Sequence, residues 1–368
     1  MRTCLAEARH VTAERRRILV YEFASGGGLA GRDVPASLAR EGAAMRAAII
    51  ADLSAIGGHQ IVTTADAGVR HTLPRGVDVA TLPATDRARE AALDQLTRSV
   101  DAVWLIAPET DRCLERLAAR VERQKKTLVG CGSTAIRYAS DKGRLPRLLT
   151  RLGIRHPTTR TLRGNVDPAP AAGAIGYPIV VKPARGAGSH GVCLARHARE
   201  LRRAVNVARQ ASDSGSVLLQ QYIPGTAASV SLLADGRRAV ALAMNAQTIG
   251  SLPRFPYRGG QTPFDHPMAS RAIAAALDTC RALPGLRGFI GVDLVLTDSD
   301  AVVIEVNPRV TTAYLGVRAA LDENVAGLVL AACAGDLPAA PRARRRVRFT
   351  AMGRITSVET IDAERGAA

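Results

Sequence analysis

The residues most able to do chemistry lie in two short stretches. The first is Gly291-Val292-Asp293-Leu294-Val295-Leu296, followed closely by Val302-Val303-Ile304-Glu305-Val306-Asn307-Pro308-Arg309. Both segments read as strands of one hairpin. Side chains alternate faces along a strand, so Asp293 shares a face with Gly291 and Val295, and Glu305 shares one with Asn307. If Asp298-Ser299-Asp300 forms a three-residue loop, Thr297 pairs with Ala301 and Asp293 pairs with Glu305. The two carboxylates then stand about 5 Å apart at Cβ. Bare acids at that spacing repel, and a divalent cation between them removes the conflict. Two carboxylates and an amide, all oxygen donors, suit Mg2+, whose other positions go to water and phosphate. A solvated polar sheet face would show the same alternation.

The second stretch is Tyr177-Pro178-Ile179-Val180-Val181-Lys182-Pro183-Ala184-Arg185-Gly186-Ala187-Gly188-Ser189-His190-Gly191-Val192. A strand carries Lys182, a glycine-rich turn follows, and the chain returns as a second strand. Gly186, Gly188 and Gly191 allow backbone N–H groups to point into one concave space, which suits an anion, and the lysine adds a full charge. Ser189 and His190 belong to the same turn, His190 through its backbone N–H. The alternative is a flexible hairpin tip. Lysine is conspicuous in this chain: of 50 Lys and Arg residues, only Lys125, Lys126, Lys142 and Lys182 are lysine. A compact ammonium reaches a phosphate oxygen in a way that the wide guanidinium fork does not. Lys125 and Lys126 read as a solvated helix end, which leaves Lys142 and Lys182. Cys193 alternates with Val192 and Leu194 in a strand and reads as packing.

The elements that must position these groups follow from the hydrophobic pattern. The first third alternates strands at 17–22, 60–63, 77–82, 102–106 and 128–130 with helices at 36–56, 87–100 and 109–122. The first helix carries Leu38, Met45, Ile49 and Leu53 at helical spacing and stops at Gly57-Gly58. Such alternation predicts a parallel sheet with helices on both faces. Beyond 133 the pattern changes to short helices at 135–139 and 142–152, strands at 178–182, 191–195 and 216–222, and a helix at 198–211. Long strands at 229–233 and 239–246 meet at the turn Asp235-Gly236. A loop rich in Pro and Gly spans 251–267, a helix spans 269–283, and one final helix spans 315–334. The basic run Arg342 to Arg348 reads as a solvated linker.

Composition narrows the class. The chain has 368 residues, 47% hydrophobic and 23% charged, an ordinary globular balance for two or three domains. No run of about 18 uncharged apolar residues exists, so no membrane span is expected. Residues 1–17 are rich in Arg and Glu without an apolar segment and do not read as a secretory signal, which places the chain in the cytoplasm. The six cysteines are scattered and read as reduced thiols, with no zinc site. The net charge of +17 invites a nucleic-acid reading, but the arginines are dispersed and aromatic residues make up only 3%.

Taken together these segments resemble the ATP-grasp superfamily over roughly 133–334. The resemblance implies an α/β chain with an α+β catalytic part: a parallel-sheet pre-ATP-grasp domain at 1–132, a small subdomain with the glycine loop at 133–217, a large subdomain with the metal site at 218–340, and a basic segment at 341–368. It implies ATP and Mg2+, with Mn2+ an acceptable replacement. Lys142 in Ser140-Asp141-Lys142 and Lys182 match the family's two phosphate lysines. The segment Leu219-Gln220-Gln221-Tyr222-Ile223-Pro224-Gly225 matches the hinge that clamps adenine, with backbone groups of Gln221, Tyr222 and Ile223 in contact. Asp293, Glu305 and Asn307 match the metal ligands, and Arg309 matches the arginine beside the γ-phosphate and acyl intermediate. Many members hold the ribose with an acid shortly after the hinge, whereas this chain has Thr226-Ala227-Ala228-Ser229 there.

The activity implied is ligation of a small-molecule carboxylate to an amine through an acyl phosphate, without nucleic acid or membrane partners and with homo-oligomers allowed. Lysines and Mg2+ neutralise the transferring phosphoryl group and Arg309 stabilises the developing charge. No general base stands out, and none is needed if the amine arrives deprotonated. Val20-Tyr21-Glu22-Phe23-Ala24-Ser25-Gly26-Gly27-Gly28, Tyr257-Arg258-Gly259-Gly260-Gln261-Thr262-Pro263 and Asn307-Pro308-Arg309-Val310-Thr311-Thr312-Ala313-Tyr314-Leu315-Gly316 resemble the tyramine–L-glutamate ligases of methanofuran and methylofuran biosynthesis. That branch joins the γ-carboxylate of glutamate to tyramine. Other amino-acid or peptide substrates, or a non-catalytic nucleotide-binding module, are the alternatives. Intact Lys142, Lys182, Asp293, Glu305 and Asn307 favour catalysis. Gly26, Gly28 and Gly31 satisfy G-x-G-x-x-G, but the nearest candidate for an acid at the end of the next strand, Asp66, lies too far on for a dinucleotide site. A substrate-contacting loop is the preferred reading of those glycines.

Overall fold

The computed structural model describes residues 15–30, 36–65, 73–186, 189–212, 215–250 and 254–361. Its first unit runs β1 (Arg17–Glu22), α1 (Ala36–Ile56), β2 (Gln60–Ala65), β3 (Asp78–Thr81), α2 (Asp86–Arg98), β4 (Ala102–Ile106), α3 (Cys113–Arg123) and β5 (Thr127–Leu128). The five strands form one parallel sheet in the order β3-β2-β1-β4-β5, as the alternation predicts. The central strands β1 and β4 are apolar along nearly their whole length because helices cover both faces. α1 ends where Gly57 and Gly58 both take a φ of +73°, a conformation that side chains resist.

The second unit contains α4 (Ser133–Ala139), α5 (Leu145–Arg151), β6 (Thr159–Leu162), α6 (Ala169–Gly173), β7 (Ile179–Pro183), β8 (Cys193–Ala195), α7 (Ala198–Gln210) and β9 (Val217–Gln221). Its antiparallel sheet has the order β6-β9-β7-β8, and α7 closes a small core of Ile179, Val181, Leu201, Val205 and Leu219. The third unit contains β10 (Thr226–Asp235), β11 (Ala239–Ile249), β12 (Tyr257–Thr262), α8 (Ala269–Ala282), β13 (Arg287–Leu296), β14 (Ala301–Asn307), α9 (Ala313–Ala320), α10 (Val325–Ala334), β15 (Arg345–Thr350) and β16 (Ile355–Thr360). Seven strands make one sheet in the order β14-β13-β10-β11-β12-β15-β16. α8 packs on one face, and α9 and α10 on the other.

Several expectations need correction. The stretch at 251–267 is not only loop, because β12 lies inside it. Its glycines permit this: a Cβ on Gly259 would stand 2.0 Å from the Phe349 carbonyl oxygen, and one on Gly260 would stand 2.3 Å from that of Ala246. The basic run is not a linker. Arg345–Thr350 is β15, paired with β12 on one side and β16 on the other. The helix expected at 315–334 is two helices. Asn324 starts the second by accepting the Gly327 N–H at 3.0 Å, while its own amide donates to the Asp52 carbonyl at 2.8 Å. The helix expected from 109 begins at Cys113, after a short turn in which Asp111 and Arg112 have positive φ. Leu38 is 36% exposed and contributes little to the core face of α1. The five described cysteines are free thiols, and Cys4 lies outside the described residues. No helix among the described residues is long and apolar enough to cross a membrane.

The first and third units are joined through buried polar contacts as well as apolar packing. Asp52 on α1 accepts the Tyr314 hydroxyl at 2.7 Å and the Arg318 Nε at 2.9 Å, both from α9. Asp52→Ala leaves a buried hydroxyl and a guanidinium without their acceptor. We expect a loss of about 2–3 kcal/mol, read as a lower denaturant midpoint with an unchanged slope.

Candidate active site

The hairpin β13–β14 does bring the two acids together, by a route different from the one expected. Its loop has four residues, with Leu296 opposite Ala301. That register alone would put Asp293 opposite Ile304. A bulge between Asp293 and Leu294 shifts the pairing by one residue and restores Asp293 opposite Glu305. Asn307 lies on the same face and donates to Asp293 Oδ2 at 3.0 Å, while Gln247 of β11 donates to Oδ1 at 2.9 Å.

Both scarce lysines arrive at Glu305. Lys142, in the turn after α4, places Nζ 2.7 Å from Glu305 Oε2, and Lys182 at the end of β7 places Nζ 3.8 Å from the same oxygen. Burial works to raise the pKa of Glu305, but the charges of Lys142 and Lys182 outweigh it and hold the acid well below its usual range. Asp293 goes the other way: burial, then the charge of Glu305, pushes it up. Lys182 is only 5% exposed, and burial together with the neighbouring Lys142 outweighs Glu305 to bring it down to about 8. For Lys142 burial is opposed by Glu305, which wins and raises it. The donor set fits a hard divalent cation. Two carboxylates in register, one of them short of compensating charge, stand beside an amide, and all offer oxygen. Among the described residues no group of three or more His, Cys, Asp or Glu side chains is placed to hold a metal ion, so the site rests on two acids and an amide.

These groups line a cavity of about 470 Å³. Gly186, Ser189 and His190 of the glycine turn line it, as do Gln221, Tyr222 and Ile223 of the hinge. Gly188 lies outside the described residues. Gly191 does not line the cavity. It has a φ of +74°, and a Cβ there would lie 2.4 Å from Ala211 Cβ, so conformation and packing explain that glycine rather than an anion. In the hinge, the Tyr222 N–H is engaged with the Pro178 carbonyl at 3.3 Å and the Gln221 N–H with that of Thr158 at 2.8 Å. These two N–H groups are therefore engaged within the protein, and the backbone contacts expected at the hinge fall to the Gln221 carbonyl and the Ile223 backbone.

Arg309 lines the cavity, and its guanidinium meets Glu109 in a two-pronged pair at 2.8 and 3.0 Å. Burial opposes its charge, but Glu109 prevails and raises the pKa. Sequence reasoning missed Glu109, Gln247 and Glu41. Glu109 had a signal, because it follows the C-terminal end of a parallel strand, where ligand crevices form. Gln247 had none, since its strand merely alternates. The Gly26–Gly28 turn does not line the cavity, so its expected substrate contact is not seen. It is buried because its glycines pack tightly: a Cβ on Gly26 would lie 2.2 Å from the Glu22 carbonyl, and one on Gly28 would lie 2.5 Å from the Phe23 ring. Gly31 and Asp66, the other members of that reading, lie outside the described residues.

Comparison with known proteins agrees with this arrangement. Residues 139–313 match the ATP-grasp domain model and residues 59–136 match the pre ATP-grasp 3 domain model. The tyramine–L-glutamate ligase of Methanocaldococcus fervens is 26% identical over 237 residues, covering 63% of this chain and 67% of that one. The carbamoyl phosphate synthase large chain of Pseudomonas aeruginosa is 27% identical over 231 residues, but the match spans only 21% of its length. Among solved structures, an ATP-grasp superfamily protein from Archaeoglobus fulgidus overlays with a TM-score of 0.66 at 24% identity, covering 94% of this chain and 99% of that one. The L-amino acid ligase from Bacillus licheniformis overlays at 0.68 with 16% identity, covering 91% and 79%. With two family models spanning nearly all of 59–313 on this fold, the chain belongs to the ATP-grasp superfamily, its ATP-grasp domain preceded by a pre-ATP-grasp domain.

Proposed function

We propose that the chain is an ATP-dependent ligase that joins a carboxylate to an amine and releases ADP and phosphate. One observation carries the reading: two rare lysines meet at a carboxylate that stands in register with a second, charge-deficient one. Such a group of charges suits a triphosphate tail with its cation. In this reading Asp293, Glu305 and Asn307 hold Mg2+, or Mn2+ in its place, which when bound neutralises phosphate charge. Lys142 and Lys182 bring compact positive charges to the phosphate oxygens. The turn at Gly186, Ser189 and His190 covers the phosphates, and the hinge at Gln221 and Ile223 receives adenine through its backbone.

The substrate carboxylate attacks the γ-phosphorus, and ADP leaves. The amine nitrogen then attacks the acyl carbon, phosphate leaves with the bonding electrons, and the nitrogen loses a proton. Arg309 stabilises the negative charge that develops on the transferring group. Glu109 grips both prongs of that guanidinium and fixes its angle. For the substrates, we propose the γ-carboxylate of L-glutamate and tyramine or a related aryl amine, for a cytoplasmic pathway to a one-carbon carrier of the methanofuran or methylofuran type. The match to the M. fervens ligase and the three motifs described above support this choice.

Three outcomes are expected. Incubation with Mg-ATP, L-glutamate and tyramine should release ADP and yield an amide of the summed mass less one water, detected by mass spectrometry. Absence of product with glutamate and every aryl amine would reject these substrates. Glu305→Gln should lower kcat by at least about a hundredfold, because it removes both a cation ligand and the partner of two ammonium groups. Its circular dichroism spectrum should stay that of the wild type, since the amide fills the same volume, while its melting temperature falls because two buried ammonium groups lose their shared acid. Lys182→Arg should lose at least about tenfold in kcat despite keeping the charge, because a planar fork does not fit where a compact ammonium is nearly enclosed. Wild-type rates in that variant would contradict the assigned role of Lys182.

A further inference from the structure

The cavity carries, within reach of Arg309, a charge that the ligase mechanism leaves without a task. Glu41, on the second turn of α1, lines it. The carboxylate accepts a hydrogen bond from the Thr312 hydroxyl at the start of α9. Among the described residues no cation pairs with it, since the guanidinium of Arg309 is taken by Glu109. The field of Glu41 nonetheless reaches both Arg309 and Tyr257, so this acid stands close to the proposed reacting end.

The cavity lining that includes Glu41 is mixed, with Ser37, Thr311 and Arg309 beside apolar groups. Tyr257, Ala313, Ala351 and Met352 line the same cavity. The turn between β15 and β16 presses on α1 directly beside it, since a Cβ on Gly353 would lie 2.7 Å from Ala44 Cβ. An acid in that position repels an anionic substrate, and an uncharged one would leave it partly desolvated without a partner. Its complement is an ammonium group.

We infer that Glu41, oriented by Thr312, is the subsite for a primary ammonium group of a substrate, whose apolar body rests against Tyr257 and Met352. The position beside the reacting carboxyl rests on the ligase reading above. The ammonium belongs either to the incoming amine or to the α-amino group of an amino-acid carboxylate donor. The chemistry recognised is the same, and experiment separates the two sources.

Calorimetric titration of the full chain with tyramine and with L-glutamate, in the presence of magnesium and a non-hydrolysable ATP analogue, tests the subsite. In Glu41→Gln one of the two ligands should bind about tenfold to a hundredfold more weakly, as expected on losing a charge-assisted hydrogen bond. The ligand affected identifies the source of the ammonium. Tyrosol, the alcohol counterpart of tyramine, should bind wild type and variant alike if the affected ligand is tyramine. Thr312→Val should give a smaller loss in the same direction, and affinity for the ATP analogue reports an intact fold in both variants. Equal binding of both ligands to wild type and Glu41→Gln, or binding of neither to wild type, would overturn the subsite. A parallel assay uses hydroxylamine, uncharged at neutral pH, to trap an activated glutamate as its hydroxamate. Hydroxamate with unaltered binding in the variant retains the ligase and removes the subsite. No hydroxamate with weakened binding in the variant retains the subsite and removes the ligase.

Discussion

A single carboxylate, Glu305, balances the charges of the cavity. Lys142 and Lys182 both point at its Oε2, and Asp293 faces it across the hairpin. Remove the acid and two ammonium groups would confront each other in a poorly solvated space, where Lys182 is already depressed. Remove the lysines and two acids would do the same. The four charges are mutually dependent because burial makes any unpaired one costly. They also come from different elements: Lys182 from the four-stranded sheet, Lys142 from the turn after α4, and the acids from the seven-stranded sheet. Assembling the charges therefore means bringing two sheets to opposite sides of one cavity.

The parallel-sheet unit is part of that assembly. Glu109 leaves the end of β4 to hold Arg309, Glu41 meets Thr312, and Asp52 ties α1 to α9. α1 thus touches the catalytic body at two levels, one structural and one facing the cavity. The C-terminal hairpin has a similar double use. β15 extends the large sheet, and the turn that follows it contributes Ala351 and Met352 to the cavity wall. Residues from near both ends of the described chain therefore line the same cavity.

The legibility of the site varied with the range of the interaction. Period-two alternation was enough to put Glu305 and Asn307 on one face, and the scarcity of lysine was enough to single out Lys142 and Lys182. The register of the acids was correct for an incorrect reason, because the loop is one residue longer than expected and a bulge restores the pairing. Glycine was the least transparent signal. Gly186 lines the cavity, but Gly191, Gly26 and Gly28 are required by neighbouring atoms that are distant in sequence or invisible to motif reading. The strand β12 was hidden by the same residue type, because glycine reads as a breaker until a partner strand approaches too closely for any Cβ.

By itself the sequence determined the local terms: the alternating apolar pattern of the parallel sheet, the hairpin with its acids, and a lysine set before a glycine turn. These are properties of neighbours along the chain, and backbone geometry alone translates them into faces and turns. Only the tertiary structure decided that both lysines share one oxygen, that Glu109 holds Arg309, that Glu41 faces the cavity, and that an arginine-rich tail is a sheet strand. Those outcomes depend on pairs up to 271 residues apart, such as Glu41 with Thr312. Burial and charge act through space, and no local pattern carries that distance.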